Sequence, residues 1–394
     1  MTVETLEPAL LASPEFHAAG DRHRLWRRMR RDMPVYWHPP AELPGFWSVT
    51  RYDDVRAVYG DPAKFSSADG VLLRPASLGN DPGGGRTLAL TDPPRHRKLR
   101  SLIAARFNAR AVRSMQGVLR AQARAAVTAA IERGSCDFAQ DVAARLSIST
   151  ICRIMGMPEG DFESVYRWTH EAFKAQKSLT TYLPIMNYFI DLMCQRKGVA
   201  PTDDVAGLLA HGAVDGTPLT EEEILLNFEN LVGATENAGL SMATGMLALL
   251  EHPDQWQRLR EDRRLIPSAI EELLRWASSA THSMRTTTGP HVLGGQSIAA
   301  GDRVVLWLPS ANRDESAFPD PDRFDLGRQR NRHVALGAGE HACIGGSLAR
   351  LQLGALLPEL LDTAREIELA GPVIPVRSIA VSGPAQLPVR IMAR

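Results

Sequence analysis

Apolar positions recur at three- and four-residue intervals along most of the chain. This period predicts helices over residues 21–31, 53–59, 111–133, 138–155, 161–175, 182–197, 220–250 and 270–276. Strand-like segments are short: Val35-Tyr36-Trp37, residues 45–49 and residues 304–308, with a hairpin expected around Ser382-Gly383-Pro384. Trp168, Phe173, Leu183, Met186, Phe189 and Met193 form a stripe at near-helical spacing, which reads either as core or as a ligand wall.

Two stretches depart from the pattern. Residues 66–90 carry Asp69-Gly70, Asp81-Pro82 and Gly83-Gly84-Gly85, which is turn chemistry, with Leu72, Leu73 and Leu88 set among it. A loop this long is a lid, a binding segment or a plain surface loop. The second stretch opens with Thr220-Glu221-Glu222-Glu223, a capping box, and closes at His252-Pro253. A helix of some thirty residues spans about 45 Å and must pass through the core. Its middle reads Gly233-Ala234-Thr235-Glu236-Asn237-Ala238-Gly239. Each glycine costs about 1 kcal/mol against alanine in a helix interior. A buried Glu costs more unless paired. Local rules broken inside an otherwise consistent helix point to a functional site.

Composition narrows the classes. The 394 residues are 44% hydrophobic and 23% charged with zero formal net charge, which fits a globular protein of one large domain or two and excludes nucleic acid as an expected partner. The four cysteines, Cys136, Cys152, Cys194 and Cys343, form no CxxC pair, so neither a disulfide framework nor a zinc site is expected, and a reducing cytoplasm is. Residues 1–20 contain Glu4, Glu7 and Glu15 and no long apolar run, unlike a signal peptide. No apolar window reaches the roughly 18 residues of a membrane anchor. From Pro93 to Ile131 there are nine Arg or Lys and no Asp or Glu, which is a solvated face or a dock for a negatively charged partner.

The sharpest chemistry lies in His333-Val334-Ala335-Leu336-Gly337-Ala338-Gly339-Glu340-His341-Ala342-Cys343-Ile344-Gly345-Gly346. Glycines on both sides of Cys343 let the backbone take unusual angles and approach another body closely. Ser347 onward reads as a helix start, and a helix N-terminus favours thiolate over thiol. A cysteine among glycines can also be a small buried hydrophobe. A lone thiolate held toward a flat cofactor suggests haem iron.

Gly337-x-Gly339-x-His341-x-Cys343-x-Gly345 resembles the haem loop of the cytochrome P-450 family, with Leu336 where that family usually has Phe. Further strings are similar in order and spacing. Asp92-Pro93-Pro94-x-His96-x-x-x-Arg100 matches the helix whose His and Arg bind haem propionates. Gly233-Ala234-x-Glu236 matches the oxygen-binding helix, with Asn237 in place of its proton-delivering Thr. Glu272-x-x-Arg275 matches the structural pair joined by a third arginine, here Arg323, and Arg285 falls at another propionate-binding position.

The resemblance implies a mainly α fold with small β-sheets, the cytochrome P-450 fold. Residues 1–394 form a single domain with haem between the long central helix and the Cys343 loop. It implies haem b ligated by Cys343, with Leu336, Gly337, Ile344 and Gly345 around the thiolate and His96, Arg100, Arg285 and His341 at the propionates. Gly233 and Ala234 then leave room for dioxygen, which Asn237 can hold by a hydrogen bond, while its protonation falls to Glu236, ordered water or a substrate group. The implied enzyme is a cytoplasmic monooxygenase. It takes electrons from NAD(P)H through a separate reductase and ferredoxin, docked on the basic run with Arg328, Arg330 and Arg332, to hydroxylate an apolar or amphipathic small molecule in secondary metabolism. Asn237 and Leu336 keep open a second chemistry: oxidative coupling, ring closure or nitration. A non-catalytic haem sensor is a third reading, against which the distortion at 233–239 argues.

Overall fold

The computed structural model describes residues 7–79, 81–174 and 179–394. More than half of the chain is helical, and every sheet among the described residues is small. Backbone contacts group the chain into two compact units. The first comprises residues 1–84, 240–343 and 371–387; the second comprises 85–239, 344–370 and 388–394.

The first unit is built on a five-stranded sheet in the order Val35–His38, Phe46–Val49, Arg303–Trp307, His282–Thr287, Phe65–Ser66. Arg303–Trp307 pairs parallel to Phe46–Val49 and antiparallel to His282–Thr287. Val304, Val305, Leu306 and Trp307 are all buried, as expected of a strand covered on both faces. One face packs on the helix Tyr52–Gly60 through Val55 and Val58, the other on Arg22–Asp32 through Trp26 and Met29. Asp21 caps the latter helix by accepting from the Arg24 N–H. The expected hairpin forms between Ile374–Pro375 and Pro384–Gln386, with Gly383 at φ +145°.

The second unit is a helical bundle whose core runs from Leu99 and Ile103 through Ile151, Val165, Phe189, Met193 and Phe228. Phe189 and Met193 therefore belong to the core, whereas Leu183 is exposed. The side chain of Phe173 and residue 175 lie outside the described residues. A three-stranded sheet, Ala364–Leu369, Pro388–Ala393 and Cys136–Asp137, closes this unit.

Three predicted elements differ. Residues 111–133 form two helices, Ala109–Ser114 and Gln116–Glu132. Residues 138–155 begin with a π-helical segment, Phe138–Ala144, before Arg145–Met155. The thirty-residue helix is broken into Glu221–Gly233 and Thr235–Glu251. At the break Ala234 has ψ −17°, and its N–H is shared between Asn230 O and Val232 O. Hydroxyls compete for the local carbonyls: Thr235 Oγ1 donates to Val232 O, and Ser147 Oγ donates to Thr235 O, each at 2.6 Å. Gly239 has a packing reason, since a Cβ there would lie 3.2 Å from Ala144 Cα.

Candidate haem-thiolate site

The Cys343 loop is a chain of backbone constraints. Gly337 N–H donates to Val334 O at 2.9 Å, Ala342 N–H to Gly339 O at 3.1 Å and Cys343 N–H to Leu336 O at 2.8 Å. Gly337 and Gly339 both sit at φ +68°, a region that penalises a side chain. A Cβ on Gly339 would also strike Tyr59 O at 2.4 Å. The result leaves Cys343 exposed and Leu336 half-buried.

Beneath the loop lies Tyr59, which sequence reasoning did not single out. Its carbonyl abuts Gly339, and its ring lies 5.2 Å from the buried Arg285 guanidinium. Burial raises the Tyr59 pKa, outweighing the lowering by Arg285 and Ser283. Arg285 Nη1 donates to Ser283 Oγ at 2.8 Å and Met284 O at 2.7 Å. His341 Nε2 lies 3.4 Å from Ser67 Oγ.

The support behind the loop centres on Glu272. Arg275 donates to both carboxylate oxygens at 2.8 Å. The third arginine is Arg328, whose Nε donates at 3.1 and 3.2 Å, and not Arg323, which is exposed. Arg323 contributes only its carbonyl, which accepts from Arg328 Nη2 at 2.7 Å. The loop folds so that the later arginine enters the buried site, which spacing does not reveal. Glu272 also accepts from Asn331 Nδ2 and the Asp325 N–H. Burial pushes the Glu272 pKa up, but the donors, Arg275 first, outweigh it and hold the carboxyl below its ordinary range. Arg275 Nη1 reaches Asn312 O at 2.8 Å, and Asn312 Oδ1 accepts the Val334 N–H at 2.7 Å. The Glu272 network thus runs into the first residues of the Cys343 loop.

The second unit carries the other candidates. His96, 1% exposed, and the half-buried Arg100 lie one turn apart on the helix Arg95–Phe107. Arg95 at its start pairs with Glu223 of the capping box. Gly233 and Ala234 are exposed at the helix break, and a Cβ on Gly233 would meet nothing within 4 Å. Glu236 and Asn237 follow, half-buried, and Ile344 and Gly345 open the approach to the helix Gly346–Thr363. Asn227 went unnoticed in the sequence. Its amide oxygen accepts the Leu88 N–H at 2.9 Å and its Nδ2 donates to Arg86 O at 3.0 Å, pinning the end of the long loop to this helix.

Much of the basic run is neutralised internally. Lys98 pairs with Asp215, Arg106 with Asp203, and Arg120 and Arg124 with the buried Glu359. Burial raises the Glu359 pKa, yet hydrogen bonds from Arg124 and Arg120 leave it lowered. Arg110 and Arg113 remain exposed.

The donor set fits an iron porphyrin. One exposed sulfur on a glycine loop supplies a single soft ligand. Arg285 and His341, and separately His96 and Arg100, are the donor types that carboxylates take. A side chain at Gly233 would stand in open space, so nothing in the chain blocks the approach of a bound group there.

Comparison with known proteins agrees. A family model for Cytochrome P450 matches residues 173–365. Cytochrome P450 NovI of Streptomyces niveus is 35% identical over 98% of this chain and 97% of its own. Cyclomarin C epoxidase CymV of Salinispora arenicola is 35% identical over 95% and 98%. The crystal structure of P450 OxyD, involved in the biosynthesis of vancomycin-type antibiotics, superposes with TM-score 0.90 at 30% identity over 97% of this chain and 99% of that one. The chain belongs to the cytochrome P450 family. It is an enzyme of the monooxygenase type, and its fold implies a haem cofactor. No helix of the described residues is long and apolar enough to cross a membrane.

Proposed function

We propose that residues 1–394 work as one cytoplasmic haem b domain that hydroxylates an apolar or amphipathic small molecule of secondary metabolism. Cys343 would supply the thiolate to the haem iron, and His96, Arg100, Arg285 and His341 would hold the propionates. The observation that carries the reading is the exposed Cys343 sulfur on its doubly left-handed glycine loop. When bound, the haem supplies dioxygen activation through its thiolate ligand. The chain does the rest. The Glu272 network holds the loop in place. Gly233 and Ala234 leave space beside the helix break. The Glu236 carboxylate moves protons, because an amide such as Asn237 donates a hydrogen bond but does not relay. Electrons come from NAD(P)H through a reductase and an acidic ferredoxin, for which exposed Arg110 and Arg113 are the dock. The similar cyclomarin C epoxidase CymV and OxyD, involved in the biosynthesis of vancomycin-type antibiotics, support a natural-product substrate.

Asn237 favours a second reading, in which the oxidised substrate undergoes coupling or ring closure instead of hydroxylation. The reduced protein with carbon monoxide tests the main reading. A thiolate-type Soret band is expected and should vanish in Cys343→Ala; its persistence in that variant would overturn the assignment.

A further inference from the structure

Within the second unit, the helices Gln116–Glu132 and Phe162–Lys174 both pack against residues 138–155 and leave a groove between them. The cavity there holds about 510 Å³, inside the range of roughly 300–1,000 Å³ for small-molecule sites. Its floor is Asp141, Arg145 and Ser149, which share one face at four-residue spacing. One wall is Ala125, Ala126 and Ala129, whose methyl groups are too short to fill the gap. The other wall is aromatic, Phe162 and Tyr166, one turn apart. The floor begins in the π-helical segment Phe138–Ala144, a conformation that recurs at functional sites.

Each floor residue is tied to one side of the groove. Asp141 pairs with Arg133 at 3.4 Å, and Ser149 Oγ donates to Gln122 Oε1 at 3.3 Å. Arg145 pairs with Glu163 and sets its guanidinium 4.6 Å from the centroid of the Tyr166 ring. Two cations and two anions thus line the groove, and each already meets its opposite. A charged guest would gain a partner only by breaking one of these pairs, so a neutral guest is favoured. The lone pairs of Ser149 and the amide donors of Gln122 suit a hydroxyl, which both donates and accepts. A flat alanine wall facing an aromatic one suits a ring. Ala144 and Ser147, three residues apart, lie on the other side of the floor segment. Ser147 Oγ donates to Thr235 O at 2.6 Å, and a Cβ on Gly239 would lie 3.2 Å from Ala144 Cα. The element that floors the groove is therefore the one that touches the helix break.

We propose that this groove is an effector site for a neutral, hydroxylated aromatic molecule, and that its occupancy steadies the helix break at residues 233–239 through Ser147. The ring lies between the alanine and aromatic walls, and its hydroxyl meets Gln122 and Ser149. The groove goes beyond the haem-thiolate reading and uses none of that site's residues.

The test uses the holoenzyme and 4-hydroxybenzophenone, a neutral hydroxylated aromatic that attaches to neighbouring C–H groups on irradiation. Peptide mass spectrometry is expected to find it on residues 122–129, 145–149 or 162–166. 4-Phenylphenol should block this labelling about tenfold more effectively than 4-phenylbenzoate, which is charged, or 4-cyclohexylcyclohexanol, which has no aromatic face. Ala126→Trp, which fills the groove, should cut the labelling about tenfold. Ala125→Phe, at an exposed position, should cut it about threefold and serves if Ala126→Trp fails to fold. Saturating 4-phenylphenol should slow amide hydrogen exchange across residues 233–239 about threefold in the wild-type enzyme. The slowing should vanish in Ala126→Trp and in Ser147→Ala, although the latter keeps its label. Absence of label from the groove peptides, undiminished labelling of the filled variants, or equal blocking by the three competitors overturns the proposal. So does exchange that is not slowed in the wild type, or that is slowed equally in Ala126→Trp or Ser147→Ala.

Discussion

Glu272 and Arg275 lie three residues apart on one helix, both side chains shut off from solvent and joined by two hydrogen bonds of 2.8 Å. Outside the core such a pair would contribute little. Here the carboxylate also collects Arg328, Asn331 and the Asp325 N–H, and Arg275 passes the constraint to Asn312 and so to Val334.

Removing the carboxylate strands two guanidinium groups. Glu272→Ala is expected to destabilise the protein by about 3–5 kcal/mol, the cost of breaking a buried pair from one side. Arg328→Ala should be measurably destabilising, and Arg323→Ala should stay within about 0.5 kcal/mol, as at most exposed sites. Urea denaturation of the three variants separates them. An Arg323 loss equal to that of Arg328 would contradict the network described here.

Acid should weaken the first unit before its carboxylates titrate. Burial lowers the pKa of His17, His38 and His282 from 6.5 to about 4. His282 shows why protonation is disfavoured: Nδ1 bonds Ile379 O at 3.0 Å while Nε2 accepts the Leu73 N–H at 2.9 Å, so a proton on Nε2 would displace a buried donor. Each imidazole has a folded pKa below its unfolded one, so between pH 6.5 and 4 the unfolded chain binds more protons. Stability is full above about 6.5, falls as pH drops, and levels off for these groups below about 4. The slope is up to about 1.4 kcal/mol per pH unit for each histidine. Denaturation midpoints between pH 7 and 4 measure it, and His282→Gln should flatten it.

On the proposed ferredoxin docking, reduction should depend on Arg110 and Arg113. Lys98 already serves Asp215, so its reversal acts partly on the fold. Arg110→Glu with Arg113→Glu is expected to slow reduction at least tenfold at low salt and much less at high salt, because exposed charges are screened. Stopped-flow reduction with unchanged rates would remove these residues from the dock.

Asn237→Thr should raise the share of electrons that reaches product, severalfold if a missing hydroxyl limits proton delivery. Product formed per NAD(P)H consumed is the measurement. An unchanged ratio places proton delivery on Glu236 and the substrate.

The sequence by itself determined the chemistry-bearing strings and most elements that carry them. Gly337, Gly339 and Cys343 could be read because left-handed backbone and a reactive sulfur are properties of single residues. Glu272 and Arg275 could be read because helical spacing alone makes them neighbours. Tertiary structure decided what depends on distant segments meeting. Arg328 rather than Arg323 reaches Glu272 because the loop turns between them. Tyr59 lies under the Cys343 loop and Asn227 holds Leu88 through contacts with residues far away in the chain. Where the long helix breaks at Ala234, a serine from another helix donates to the Thr235 carbonyl. Periodicity registers a residue's own preference; it carries no record of a partner many positions away.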